Sequence, residues 1–206
     1  EITYGDWSSD VCSSDLSGEN FRTEGILPEG WIHNKNDLIN IKAINKRFGG
    51  KPLKTFPTLG FIKKLFYEKV KRIRYVRILD LVYYNKAEAK DLLIEKLGWR
   101  DYGGKHYESI ITRFYQSYIL PKKFHVDKRR SHLSTMICSG QLTREEAMEE
   151  ISKPPINESQ AEEDKTYVLK KFGLSNAEFD QIMHEPVVPH TFYPSIINYF
   201  ERSEEH

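Results

Sequence analysis

The chain has 206 residues, 39% hydrophobic and 13% aromatic, enough for one globular domain with a sizeable core; this excludes a long disordered or collagen-like chain. Charged side chains interrupt every apolar run well short of the ~18 residues that a membrane-spanning helix needs. The 31 basic and 30 acidic side chains nearly cancel, but both chain ends weigh on that total.

The ends read differently from the rest. Residues 6–16, Asp-Trp-Ser-Ser-Asp-Val-Cys-Ser-Ser-Asp-Leu, and residues 202–206, Arg-Ser-Glu-Glu-His, can be back-translated so that the second string is the reverse complement of the end of the first. Together they look like a short-read sequencing adaptor. Residues 1–16 and 202–206 are therefore expected to be translated adaptor that packs against nothing, Trp7 included, and residues 17–201 to be a fragment cut from a longer gene. Without those ends, 30 basic and 24 acidic side chains remain, a net charge of +6, with the single cysteine Cys138. One cysteine excludes an internal disulfide framework or a Cys-rich metal knuckle in this stretch and fits a reducing cytoplasm.

In chain order, residues 17–34 are rich in Gly and polar groups and read as loop. Asp37 caps a helix whose Leu38, Ile41 and Ile44 share a face, closed by Gly49-Gly50. A second helix is expected from Thr58 to Lys71, with Leu59, Ile62, Leu65 and Phe66 inward and Lys63, Lys64, Lys69 and Lys71 outward. Tyr75 to Tyr84, β-branched and aromatic, reads as a buried strand. Asn85 and Glu88 open a helix that Ala87, Leu92, Leu93 and Leu97 carry to Gly98. Strand into helix is α/β grammar.

After Gly98 the pattern is helical. Ile110, Ile111, Phe114 and Tyr118 lie on one face before Pro121. Asp127 opens a helix carrying Leu133, Met136 and Ile137 to Gly140, and Cys138 on that face reads as buried packing. Thr143 with Glu146 and Ser175 with Glu178 form two capping boxes. Between them Pro154-Pro155 and acidic Glu158 to Asp164 read as an exposed link, and the segment beyond Glu185 as a strap or tail.

Two clusters have the composition of a site. In Gly98-Trp-Arg-Asp-Tyr-Gly-Gly-Lys-His-Tyr-Glu-Ser109, adjacent glycines let backbone N–H groups approach a ligand, while Lys105, His106, Glu108 and Ser109 supply a cation, a proton shuttle, a base and a donor. The same run also reads as a helix entry with Glu108 and Ser109 as caps. Lys122 to His132 gathers five basic residues and two histidines; with Lys105 and Arg113 it can hold phosphate or an acidic sugar, or it can be a solvated basic face. His33, His106, His125 and His132 fit no metal-ligand spacing, so no metal site is expected.

The run from Leu97 to Glu150, above all Gly-Trp-Arg-Asp-Tyr-Gly-Gly-Lys-His-Tyr-Glu-Ser, Arg-Phe-Tyr-Gln-Ser-Tyr-Ile-Leu-Pro-Lys-Lys-Phe, Asp-Lys-Arg-Arg-Ser-His-Leu-Ser and Cys-Ser-Gly-Gln-Leu-Thr-Arg-Glu-Glu-Ala, closely resembles the N-acetyl sugar amidotransferases of bacterial surface-polysaccharide (lipopolysaccharide and O-antigen) biosynthesis. These belong to the PP-loop ATP pyrophosphatase superfamily, and the likeness extends over nearly all of residues 17–183. It implies conversion of a sugar acetamido group to acetamidino, with ATP and Mg2+ as cofactors and with ammonia from a glutaminase paired with a cyclase-like subunit.

Carried over by motif, Gly18, Asn20, Thr23 and Glu24 match the G-x-N-x-x-T-E segment on the nucleotide side. Lys105, His106, Glu108 and Ser109 match the K-H-x-E-S element expected at the reacting centre. Lys128, Arg129 and Arg130, with Arg100, are expected to bind substrate or phosphate. The family's S-G-G-x-D-S pyrophosphate loop and upstream cysteine pairs have no counterpart in these residues.

The expected fold class is α/β: residues 17–98 as the C-terminal part of a PP-loop (adenine nucleotide alpha hydrolase-like) domain, and 99–201 as a mainly helical C-terminal region. No membrane partner is expected, and nucleic acid is disfavoured because aromatics do not interleave with the basic residues in an RNA-binding motif. The competing readings are a basic helical interaction module and another PP-loop enzyme, such as a tRNA-modifying one. The fragment alone is expected to be inactive, because the diphosphate cradle is missing.

Overall fold

Side chains that close hydrogen bonds on exposed helix N-termini set where the helices begin. Asp37, Asn85, Asp127 and Asn157 each cap a helix through a side-chain oxygen, and Thr143 with Glu146 and Ser175 with Glu178 form complete reciprocal capping boxes. The computed structural model describes residues 18–28, 30–101, 107 and 109–198. The segments expected to be adaptor, with Trp7, and Lys105, His106 and Glu108, lie outside the described residues.

Ten α-helices result: α1 (Phe21–Glu24), α2 (Leu38–Phe48), α3 (Phe61–Leu65), α4 (Lys86–Leu97), α5 (Ile110–Phe114), α6 (Leu120–Phe124), α7 (Lys128–Cys138), α8 (Arg144–Ser152), α9 (Glu158–Phe172) and α10 (Asn176–His184), among the described residues. The described residues contain no strand, and no helix among them is long and apolar enough to cross a membrane. The fold is mainly helical, and the α/β remnant expected for residues 17–98 has no counterpart in the described part. The expected strand at Tyr75–Tyr84 is corrected: the segment is irregular with a 3-10 turn at Ile78–Asp80. β-propensity is realised only where a neighbouring strand completes the ladder.

The described chain divides into two compact units. One comprises residues 32–76 and 188–198, the other residues 18–31 and 77–187. In the first, the Asp37 carboxylate is the hub. Its Oδ1 accepts from the backbone N–H groups of Ile39 and Asn40 at the start of α2, and its Oδ2 accepts from Ile196 N at 2.8 Å and His190 Nε2 at 3.0 Å. Asn40 donates to the carbonyls of His190 and Pro194, so the 188–198 segment is strapped across the start of α2. This unit also carries a correction. Leu59, Ile62, Leu65 and Phe66, expected inward, are exposed.

In the second unit the core is Phe114, Val168, Leu169 and Phe179, with Tyr118, Ile119, Leu174 and Met183 packed against it. Phe114 stacks on Tyr118 with ring centroids 4.8 Å apart. The helix begun by α5 does not stop before Pro121: a π turn at Tyr115–Ile119 joins it to α6, which carries Pro121 in its first turn. Proline has no N–H to donate back along the helix, and a shifted hydrogen-bond register accommodates it there. The expected acidic link at 158–164 is instead the first half of α9, where Ala161, Asp164, Val168 and Leu169 form one buried face. α4 forms where expected, but Leu92, Leu93 and Leu97 are exposed.

Burial pushes the Asp37 carboxyl up, but the N–H donors of Asn40 and Ile196 and the neighbouring His190 outweigh it and hold its pKa below the ordinary carboxylate range. A depressed folded-state pKa contributes stability that is present above the unfolded value of about 3.9 and is lost as pH falls through the folded value. Asp37→Asn is therefore expected to cost about 1.5–3 kcal/mol at pH 7, with the gap to the parent narrowing in denaturant titrations below about pH 4. A gap that stays constant with pH would show that charge at Asp37 contributes nothing.

Candidate functional site

The second unit holds a cavity of about 280 Å3 lined by Lys86 at the start of α4, Tyr107, Gln116 and Ser117 of the π turn, Asp127 to Arg129, His132 and Met136 of α7, Glu150, and Pro154-Pro155. α1 is stitched to α7 on one side of it. Ser139 Oγ and Gln141 Nε2 donate to the Arg22 carbonyl, Ile26 N donates to Thr135 Oγ1, and His132 Nδ1 lies 2.7 Å from the Thr23 carbonyl oxygen.

A carbonyl only accepts, so His132 Nδ1 carries the proton. His132 Nε2 is 3.0 Å from Lys86 Nζ. In the neutral ring Nε2 bears a lone pair and accepts from the ammonium; a doubly protonated ring would turn N–H against N–H. The geometry sets Nδ1 as the donor to the Thr23 carbonyl and places Nε2 beside a lysine. Opposite, Tyr107 Oη donates to the Pro155 carbonyl at 2.8 Å and therefore accepts from Ser117 Oγ at 3.1 Å.

Of the basic triplet, Arg129 is turned onto the protein. Its Nε and Nη2 bind the Asp127 carboxylate, and Nη1 donates to the carbonyls of Glu150 and Lys153, tying α7 to the end of α8. Lys128 lines the cavity, whereas Arg130 is exposed and does not. Arg129 is neutralised by Asp127, and Lys86, Lys128 and Glu150 also line the cavity among the described residues.

Residues 18–24 form a self-satisfied turn. Buried Asn20 caps α1, its Oδ1 accepting from Thr23 N at 2.9 Å and Thr23 Oγ1 at 3.1 Å, and its Nδ2 donates to the Gly18 carbonyl. Glu24, with Glu19, Asn20, Phe21 and Arg77, lines a depression of about 170 Å3. That is well below the cavity beside α7, and two carboxylates line it. The described residues do not fit ATP or its magnesium ion; among them no group of three or more His, Cys, Asp or Glu could hold a metal.

Among the sequence-derived candidates at the reacting centre, Ser109 caps α5, its Oγ accepting from Thr112 N at 3.3 Å. Arg100 is exposed, and Cys138, expected in the core, is exposed as well. Lys86, Tyr107, Gln116 and Ser117 were not singled out from the sequence. Lys86 meets His132 across 46 positions, a contact that only the tertiary fold creates.

A capped helical domain with a cavity beside α7, lined by both polar and apolar side chains, is thus the class that this part of the chain defines. Residues 108–204 match the family described as LPS biosynthesis protein WbpG-like, C-terminal domain, a description that points to lipopolysaccharide biosynthesis. No curated protein and no solved structure matches the chain.

The tautomer is directly measurable. In long-range 15N–1H spectra of the imidazole side chains, His132 is expected to show a protonated Nδ1 and an unprotonated Nε2 at pH 7, and Lys86→Met to leave Nδ1 protonated. An Nε2-protonated tautomer in the parent would contradict the Lys86–His132 geometry.

Proposed function

We propose that this chain supplies the sugar-handling part of an ATP-dependent amidotransferase that converts a sugar acetamido group to acetamidino in lipopolysaccharide biosynthesis. The observation that carries the reading is the match of residues 108–204 to a C-terminal domain of lipopolysaccharide-biosynthesis proteins. The cavity supports it: about 280 Å3, with Lys86, Tyr107, Ser117 and His132 beside Leu133, Met136 and two prolines, it is of the order of a single sugar ring rather than a nucleotide. Lys86 is a donor for a carbonyl-type oxygen, the Tyr107–Ser117 pair offers hydroxyl oxygens to sugar hydroxyls, and once Lys86 turns from His132 Nε2 to the substrate that nitrogen is a base for an incoming amine.

ATP and Mg2+ would supply activation of the amide oxygen, for which the described residues offer no cradle, so no step is assigned to them. Ammonia would come from a glutaminase with a cyclase-like partner, and the setting would be the cytoplasm. Lys105, His106 and Glu108, which flank Tyr107 in sequence, keep the reacting-centre role that the resemblance implies.

In a protein carrying both this segment and an S-G-G-x-D-S loop, assayed with acetamido sugar, ATP and ammonium, His132→Ala and His106→Ala are expected to lower kcat by ~10²–10⁴. Lys128→Ala is expected mainly to raise KM. The 206-residue chain alone, which lacks that loop, is expected to release pyrophosphate at background. Near-parental kcat in both histidine variants would remove the cavity from the chemistry.

A further inference from the structure

The most exposed apolar stretch of the first unit is also its most basic. α3 continues through a π turn at Phe66–Val70, and the chain then runs on to Val76. Across residues 61–76 every side chain is exposed except half-buried Tyr67. Phe61, Ile62, Leu65 and Phe66 recur at helical spacing on one face, Ile62 being 82% exposed, and Val70, Ile73 and Val76 prolong the apolar surface. Between them stand Lys63, Lys64, Lys69, Lys71, Arg72 and Arg74 against one acid, Glu68, a net charge of +5. Glu68 pairs with Lys64 at 3.7 Å, and Lys69, Lys71, Arg72 and Arg74 make no ion pair among the described residues.

We propose that residues 61–76 are an interfacial docking segment for an anionic lipid bilayer, lying in the plane of the membrane surface with the aliphatic and aromatic side chains in the acyl boundary and the six cations at the headgroups. The ten helical residues 61–70 span about 15 Å, half the hydrocarbon thickness, so they lie on a membrane rather than cross it. A short helix dense in exposed apolar and basic side chains is the pattern of such segments.

Two other occupants fit less well. Single-stranded nucleic acid would use the cations and stack on Phe61 or Phe66, but it gives Ile62, Leu65, Val70 and Ile73 nothing to bury against. A protein interface is depleted in lysine, and four of the six cations here are lysines. This inference is independent of the acetamido-sugar reading and extends beyond it.

The test is flotation of the 206-residue chain with phosphatidylcholine vesicles and with vesicles of which about half the lipid is phosphatidylglycerol. Binding is expected to the anionic vesicles only, and to weaken with added salt. Each lysine near such a surface is worth about fivefold in affinity, so Lys69→Gln/Lys71→Gln is expected to bind about 25-fold more weakly. Ile62→Asp, at a position too exposed to affect folding, is expected to lose at least about tenfold, with helicity by circular dichroism unchanged in both variants. The proposal is overturned if the anionic vesicles do not bind the chain, if neutral vesicles bind it equally, or if both variants bind as the parent does. It is also overturned if a single-stranded oligonucleotide or a second copy of the chain binds this face while vesicles do not.

Discussion

One buried ion pair decides how the C-terminal helices come together. Arg113 of α5 holds Asp164 of α9 in a two-pronged clasp, Nε and Nη2 each 2.7 Å from a carboxylate oxygen, and the Asp164 side chain is only 2% exposed. The hydrogen bond that it donates to Asp164, more than any other influence, holds the Arg113 guanidinium above its ordinary value. Gln160 satisfies a further lone pair on Asp164. Desolvating two charges costs several kcal/mol, so the clasp adds little net stability. What it fixes is register: Arg113 is bonded to Phe114, the fully buried centre of the core, and Asp164 lies one turn from Val168. The same guanidinium sits 5.7 Å from the Tyr107 ring, whose hydroxyl reaches the Pro155 carbonyl on the cavity wall. Core and cavity therefore share one electrostatic joint.

That joint explains what could be read from the sequence and what could not. Helix starts were legible wherever a short polar side chain had a local job, as at Asp37, Asp127, Thr143 and Ser175, because a cap is a contact over two or three residues. The first half of α9 was not: its buried face includes Asp164, so an acidic composition resembled a solvated link, and only Arg113, 51 positions away, makes burial of that aspartate tolerable. The expected strand at 75–84 and the inward face of α3 failed together. Apolar periodicity marks a face, but whether the face is covered depends on other chain.

At the site, the Lys128–Arg130 triplet was visible as charge, yet charge could not say that Arg129 would spend its donors on Asp127 and two carbonyls. The motif resemblance pointed to the lipopolysaccharide-biosynthesis family that residues 108–204 match, while the Lys86–His132 contact needed the fold. The turn at 18–24 is closed on itself, its polar groups satisfying one another. The segment at 61–76 has high charge on an apolar surface, which suits an extended anionic surface better than a small ligand.

A double-mutant cycle on Arg113→Ala and Asp164→Ala, read by chemical denaturation, tests the claim that this pair sets the packing of α5 on α9. Each single variant strands a buried charge and is expected to cost about 3–5 kcal/mol, while the double variant costs well below the sum, giving a coupling of at least about 1.5 kcal/mol. Additive costs, with coupling under about 0.5 kcal/mol, would show that the two helices are positioned by the apolar core alone and would contradict the account.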